Sequence, residues 1–192
     1  MVLTEAQAKF FYDLWIPLLD FVNRKYKLCK EFYGMDSHKG VPLDVVRIIS
    51  GKLWEDTLVI DEYISKNKQN MSEEHISIVR GWKKVVHGKF VVERHLKNGS
   101  ILVSCVEDGS VYRVRGIYSS WRELLGTLPM PQIVETSLIP FKNVIIHDGI
   151  VVPYGVCLGK NIADQAKYMY MNAKEHEYIL LLDLSLPFSA PL

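Results

Sequence analysis

Lys97-Asn98-Gly99-Ser100 and Glu107-Asp108-Gly109-Ser110 decide the fold. Asn-Gly and Asp-Gly are the dipeptides that two-residue primed turns demand, because both central residues take positive φ. Short runs rich in Val, Ile, Leu and Tyr flank each turn, so residues 89–117 read as a three-stranded antiparallel meander. In its first strand the alternation predicts Phe90, Val92, Arg94 and Leu96 on one face, with Lys89, Val91, Glu93 and His95 on the other. Both faces are partly apolar, which predicts a sheet that is curled or covered.

Upstream of the meander the period is helical, and it changes to two at His87-Gly88. Thr4 followed by Gln7 has the form of a capping box, and Phe11, Leu14, Trp15, Leu18, Val22 and Tyr26 recur at helical spacing, predicting a helix over residues 4–27. Pro17 predicts a kink or break near Ile16. Pro42 opens a second helix in which Gly51 is a candidate interruption, Leu53–Ser65 carries a further stripe, and Ser72-Glu73-Glu74 opens a helix presenting Ile76, Val79, Trp82, Val85 and Val86. Downstream, Ser119–Gly126 reads as a short capped helix. Ile133–Ile139, Val144–Ile146 and, after an Asp148-Gly149 turn, Ile150–Leu158 read as strands, with Pro140 and Pro153 marking edges, bends or bulges. A last helix opens at Asn161, and Tyr178–Leu186 reads as a strand or docked extended segment. The expectation is an α+β protein: a helical lobe over 1–86, then over 87–186 a curled, mostly antiparallel, small barrel-like sheet with a C-terminal helix. The two lobes pack as one unit, and 187–192 form a tail.

The chain has 192 residues, 48% of them hydrophobic, and a net charge of +1. That balance carries no global nucleic-acid footprint. Locally the charge departs from the mean: residues 83–122 hold eight basic side chains against three acidic ones. Cys29, Cys105 and Cys157 are odd in number and widely spaced, which fits neither a disulfide framework nor a zinc ribbon and points to a reducing cytoplasm. The sequence calls for no cofactor and no membrane anchor.

The stretch Leu138-Ile139-Pro140-Phe141-Lys142-Asn143-Val144-Ile145-Ile146-His147-Asp148-Gly149 resembles a segment of the form L-[LI]-P-F-x-x-x-I-[IV]-x-D-G found in a family of uncharacterised bacterial proteins. The likeness is strong over about a dozen residues and loose over 80–175. It implies a helical N-terminal region followed by a compact β-rich part, and it implies no activity. Some family members resemble carriers of a SEC-C metal motif, whose cysteine cluster has no counterpart here. Physically, the stretch reads as a strand entering at a proline bend and leaving through the Asp148-Gly149 turn.

Three sets of residues are candidates for chemistry. Gly155-Val156-Cys157-Leu158-Gly159-Lys160-Asn161 stands at a strand-to-helix junction where Gly159, Lys160 and Asn161 would favour an anion. It departs from a P-loop, having three residues between the glycines and Asn after the lysine, so a glycine-rich turn into a capped helix is the plainer reading. Glu93, His95, His147 and Asp148, with His87 nearby, would supply metal ligands or acid/base partners if the strands close on one another, although no hydrolytic motif frames them. Arg94, Lys97, Arg113 and Arg115, interleaved with Tyr112 and Tyr118 and followed by Arg122, form a basic and aromatic sheet face able to hold nucleic acid by phosphate contacts and stacking. The plainer alternative is a solvated face whose tyrosines complete the core. These readings favour a binding or interaction module for nucleic acid or an acidic protein partner. The opposing class is a small hydrolase or nuclease built on the His/Glu/Asp set.

Overall fold

The computed structural model of the chain describes residues 1–32, 42–105, 109–127, 129–156, 158–176 and 179. Thr4 and Gln7 close the expected capping box, with Gln7 N–H donating to Thr4 Oγ1 at 3.2 Å and Thr4 N–H to Gln7 Oε1 at 3.0 Å. Helix α1 (Glu5–Tyr26) then runs through Pro17 as one element, where the sequence predicts a kink or break. The reason is placement: Pro17 and Asp13 both lie on the exposed side, so the carbonyl that loses its helical partner faces water. Helix α2 (Leu43–Glu55) likewise passes Gly51 uninterrupted. The stripe over Leu53–Ser65 is divided at Asp56, whose Oδ1 accepts from Leu58 N–H at 3.2 Å ahead of α3 (Val59–Asn67). Ser72 caps α4 (Glu73–Gly81) as its sequence predicts.

Five strands follow: β1 (Val86–Leu96), β2 (Gly99–Ser104), β3 (Val111–Arg115), β4 (Gln132–Phe141) and β5 (Val144–Pro153), with the short helix α5 (Trp121–Leu125) between β3 and β4 and α6 (Lys160–Glu175) after β5. They pair in the order β1-β2-β3-β5-β4, and β4 returns to β1, so the hydrogen-bonded sheet meets itself. Four pairings are antiparallel; β3 with β5 is parallel, making the sheet mixed. The protein is thus α+β, with N-terminal helices and a C-terminal helix around the sheet, and no helix among the described residues is long and apolar enough to cross a membrane.

Three apolar clusters hold this arrangement. Phe90, Val92, Leu102, Tyr112, Val114, Val134, Leu138 and Ile145 fill the inside of the ring, closed below by Trp121 and Leu125 of α5. Val91, Val103 and Val111 face outward and are covered by Ala166, Tyr170 and Ala173 of α6. On the β4–β5 side, Ile139, Phe141 and Ile146 join Phe11, Trp15 and Trp82 in the largest cluster, which also contains the core of the helical lobe. The lobes predicted over 1–86 and 87–186 therefore share a core.

Three details of the meander region differ from the sequence reading. The first hairpin turns at Lys97 and Asn98, with Gly99 already in β2 and paired with Leu96 and with Asn98 outside the positive-φ region, so it is not the primed Asn98-Gly99 turn the sequence predicts. A register shift between Val92 and Arg94 opens a bulge at Glu93, so Arg94 pairs with outward Ile101 and His95 with inward Ser100. Phe90, Val92 and His95 share the inner side, while Val91, Arg94 and Leu96 share the outer one. Further on, Asp148-Gly149 does not turn the chain. It lies within continuous β5, where pairing slips between Thr136 and Leu138, and the hairpin turn is instead Lys142-Asn143 with Lys142 at φ 54°. Pro140 fits because β1 pairing ends at Leu138, leaving Pro140 one strand neighbour, Ile145. Glu107-Asp108 of the second turn, the Tyr178–Leu186 run except Ile179, and the 187–192 tail lie outside the described residues.

Gly116 joins the chain start to β3, for Leu3 N–H donates to its carbonyl at 3.0 Å while its own N–H donates to Met1 O at 3.2 Å. A Cβ there would stand 2.0 Å from the Ser119 carbonyl oxygen, a backbone atom that no rotamer change can clear. Gly116→Ala is therefore expected to cost about 2 kcal/mol or more in urea unfolding, well beyond an ordinary surface change. A cost within about 0.5 kcal/mol would show that this backbone crossing is not rigid.

Candidate functional site

The bulge and the strand alternation decide where the candidate residues go. Glu93 turns its carboxylate to Arg94, which donates from Nε to Oε2 and from Nη2 to Oε1, the latter at 2.8 Å, while the guanidinium lies 4.7 Å over the Tyr170 ring of α6. His95 points inward, with Nδ1 2.8 Å from Ser100 Oγ. His147 is buried inside the ring, edge-on to Trp121 at 5.5 Å between centroids. Asp148, the next residue, points outward to the helical lobe, where Trp54 Nε1–H donates to its Oδ2 at 2.8 Å. Glu93, His95, His147 and Asp148 are thus distributed over the ring's outer face, mouth, interior and opposite outer face. Among the described residues no three His, Cys, Asp or Glu side chains form a metal-holding group.

The aromatic and basic candidates separate in the same way. Tyr112 is inside the ring, 5% exposed and edge-to-face with Phe90, so its ring has no free face for stacking. Tyr118 is 57% exposed and stacked on Tyr12 at 5.7 Å and 8°. Arg113 and Arg115 point outward from β3. Gly99, at φ 148°, leaves room for the Arg113 side chain to lie across it, since a Cβ there would be 3.1 Å from Arg113 Cγ. Arg113 Nε is buried without a hydrogen-bond partner. At the other candidate, Gly159 stands at the start of α6 with no side-chain cap, Lys160 and Asn161 are exposed, and Cys157 lies outside the described residues.

Two concavities among the described residues bear on these candidates. The first, of about 360 Å³, opens at the mouth of the ring between the β1–β2 turn and α5, lined by His95, Lys97, Ser100, Ser120, Trp121 and Arg122 together with Met1 and Leu96. Lys97 is itself a central residue of the β1–β2 turn, and a second capping box, Ser120 with Glu123, fixes the first turn of α5 and with it Arg122. Glu123, an acid beside this cleft, is held by Ser120, whose N–H donates to Oε2 at 2.6 Å and whose Oγ donates at 2.8 Å. Those bonds hold its carboxyl below the usual range. Lys97 and Arg122 have no ion-pair partner among the described residues. Burial, then the charge of Arg122 and of the chain's amino terminus, pushes the His95 imidazole below its ordinary pKa. It therefore serves the cleft as a neutral hydrogen-bonding group at neutral pH, beside two cations.

The second concavity is a groove of about 190 Å³ between α2 and the strands, with Trp54 and Gly51 on the helix side and His87, Thr136, Ser137 and Asp148 on the sheet side. Asp148 Oδ1 accepts from Ile150 N–H at 3.0 Å, and the Ser137 side chain also hydrogen-bonds the carboxylate. Ser137 Oγ lies 3.0 Å from His87 Nδ1, which donates if the serine proton goes to the carboxylate. Burial raises the Asp148 carboxyl above its usual range, opposed by the donors Trp54, Ile150 and Ser137 and by His87. Of the His/Glu/Asp set named in the sequence, His87 and Asp148 thus come together through Ser137, while nothing in the sequence pointed to Ser137 or to Trp54, 94 residues from Asp148.

His147 yields a pH signature. Its Nδ1 accepts from Gly149 N–H at 3.1 Å, its Nε2 is buried without a partner, and burial lowers its pKa from 6.5 to about 4. Between those values the unfolded chain binds a proton that the folded chain refuses, so stability falls as pH drops, by about 3 kcal/mol over the window. Asp148 acts in the opposite sense, because a raised carboxyl favours the folded state at low pH, and it makes the net slope shallower. Urea midpoints from pH 7 to 4 should fall in the wild type and flatten in His147→Gln; equal slopes would show that His147 is not the group responsible.

No family model, curated protein or solved structure matches the chain.

Proposed function

We propose that this chain is a non-enzymatic binding module for single-stranded nucleic acid that grips phosphates at the mouth of its strand ring. The observation that carries the reading is the mouth cleft, where Lys97 and Arg122, without carboxylate partners among the described residues, meet Ser100, Ser120 and a neutral His95. Arg113 and Arg115 extend the positive surface along the outer side of β3. Exposed Tyr118, two residues before Ser120, supplies a face for a base.

Fold-level analogy supports the same reading. Five strands closed as a small barrel with a helix between the third and fourth resemble oligonucleotide-binding barrels, in which strands 2 and 3 and the adjoining loops take the strand. Here α6 occupies the half of that face made by Val91, Val103 and Val111, which directs a ligand to the other half and to the mouth. The cysteine pattern supports a reducing cytoplasm as the home of such a module. The dispersal of Glu93, His95, His147 and Asp148 gives the hydrolase reading no comparable support.

Fluorescence anisotropy with labelled single strands of about a dozen nucleotides tests this. Affinity should fall with salt, and Lys97→Ala with Arg122→Ala should weaken it about tenfold and reduce the salt slope by roughly 1.4, two phosphates at about 0.7 each. Arg113→Ala with Arg115→Ala should act in the same direction. Binding that ignores salt and both double variants would remove the proposal, and equal affinity for poly-glutamate would transfer the site to acidic proteins.

A further inference from the structure

We infer that the groove between α2 and the sheet is a slot for a small planar heterocycle of nucleobase type, with Trp54 as its flat wall and His87 and Glu135 at its polar edge. The inference does not rest on the mouth cleft. It begins with Gly51, which occupies the interior of α2 at a cost of about 1 kcal/mol relative to alanine. Packing does not require a glycine there, because an added Cβ would meet nothing within 4 Å. Its φ is helical and needs no glycine either. What the missing side chain does is leave the groove open, since Gly51 lines it.

Trp54, one helical turn further on, is held from two directions. Its Nε1–H is committed to Asp148, and one face is stacked on Trp15 with centroids 5.5 Å apart at 21°. An aromatic wall fixed before binding loses little freedom when a flat ring lies on it. On the sheet side the Thr136 hydroxyl is committed to Ile150 O at 2.6 Å and that of Ser137 to Asp148, so the open polar group there is the exposed His87, whose Nδ1 is engaged by Ser137 so that Nε2 remains for a ligand. Ile150 and Val152 complete an apolar wall.

The walls of the slot favour a flat ring whose edge carries a hydrogen-bond donor. Asp148 already receives Trp54, Ile150 and Ser137, whereas Glu135 accepts from Tyr154 Oη–H at 2.6 Å through Oε2 and keeps Oε1 to accept from an exocyclic amino group. Apolar faces with hydrogen-bonding edges are the complement of Trp54 and the aliphatic wall on one side and His87 and Glu135 on the other. At about 190 Å³ the space lies below that of drug-sized pockets and suits a single ring system. Arg47, exposed at the rim and without an ion-pair partner among the described residues, is placed to meet a phosphate attached to the ring. The base can belong to a free mononucleotide or to a nucleotide within a strand.

Tryptophan fluorescence of the full chain, titrated with AMP, GMP, CMP and UMP and with a short oligonucleotide, separates these sources. At least one probe should quench saturably, with the response lost in Trp54→Phe. Gly51→Leu should weaken that probe about tenfold or more by filling the slot, while its unfolding midpoint stays level or rises because leucine is the better helix former. His87→Phe, which leaves α2 untouched, should also weaken binding and guards against a folding defect in the first variant. Quenching by mononucleotides assigns the slot to a free ligand, and quenching by the oligonucleotide alone assigns it to a strand. No saturable quenching by any probe, or unchanged affinity in both Gly51→Leu and His87→Phe, would overturn the inference. Lys97→Ala with Arg122→Ala should leave mononucleotide quenching intact, so failure at the mouth and failure at the groove are read separately.

Discussion

The ring exists because β1 serves two neighbours at once. Val86 to Val92 pair with β4, and Phe90 to Leu96 pair with β2, so the strand must change direction near its middle while keeping its apolar residues inside. The bulge at Glu93 meets both demands. An extra residue there bends the strand and resets the alternation, so that Phe90, Val92 and His95 point inward and Arg94 outward. Without that reset, Arg94 would enter the ring's mouth and His95 would lie under α6. The arrangement of charge on both sides of the sheet therefore depends on one inserted residue.

The helical lobe is fixed to the ring by two different kinds of interaction. The larger is apolar: Phe11 of α1, stacked on Trp15, meets Phe141 of β4 edge-on at 5.8 Å, and both Phe11 and Trp15 meet Trp82 edge-on at 5.9 and 5.4 Å. Such pairs add about 0.5–1.5 kcal/mol each beyond the area they bury. The smaller is polar and directional. Trp54 donates to Asp148, a carboxylate only 1% exposed, and removing the donor would leave a buried acceptor short of a partner. The apolar contact supplies most of the adhesion, whereas the hydrogen bond sets the position of α2 and hence the width of the groove beside it.

Local chemistry was legible in the sequence. The capping box at Thr4, the Ser72 cap, the capped helix within Ser119–Gly126, the hairpin after Leu96 and the change of period at His87 all rest on interactions within a few residues, although the hairpin turns one residue earlier than its Asn-Gly signal, at Lys97 and Asn98. Asp148-Gly149 misled because its turn chemistry is real but small: Ile150 N–H bonds to Asp148 Oδ1, and Gly149 sits at φ 101°, yet pairing on both sides carries the chain onward as a strand. The true turn has Lys142 at φ 54°, a residue no turn rule selects. Of the candidate sites, the basic residues of the mouth were legible because hairpin and cap place them locally. The line from His87 through Ser137 and Asp148 to Trp54 was not, since it exists only where α2, β1, β4 and β5 meet.

A charge count over a segment is also not a surface charge, and the difference locates the cleft. Of the eight cations between Lys83 and Arg122, Lys83 is paired with Asp61, Arg94 is paired with Glu93 beneath Tyr170, and Lys89 lies 5.0 Å over the Tyr154 ring. Lys84 is also engaged. The cations left with neither a carboxylate partner nor a ring contact among the described residues are Lys97, Arg113, Arg115 and Arg122, all on the β1–β2 turn, the outer side of β3 or the start of α5. Folding thus converts a diffuse basic segment into positive charge at one end of the ring. It does so by spending the other cations on the contacts that hold α3 and α6 in place, so the same packing that covers half of the sheet face concentrates the unspent charge beside the half left open.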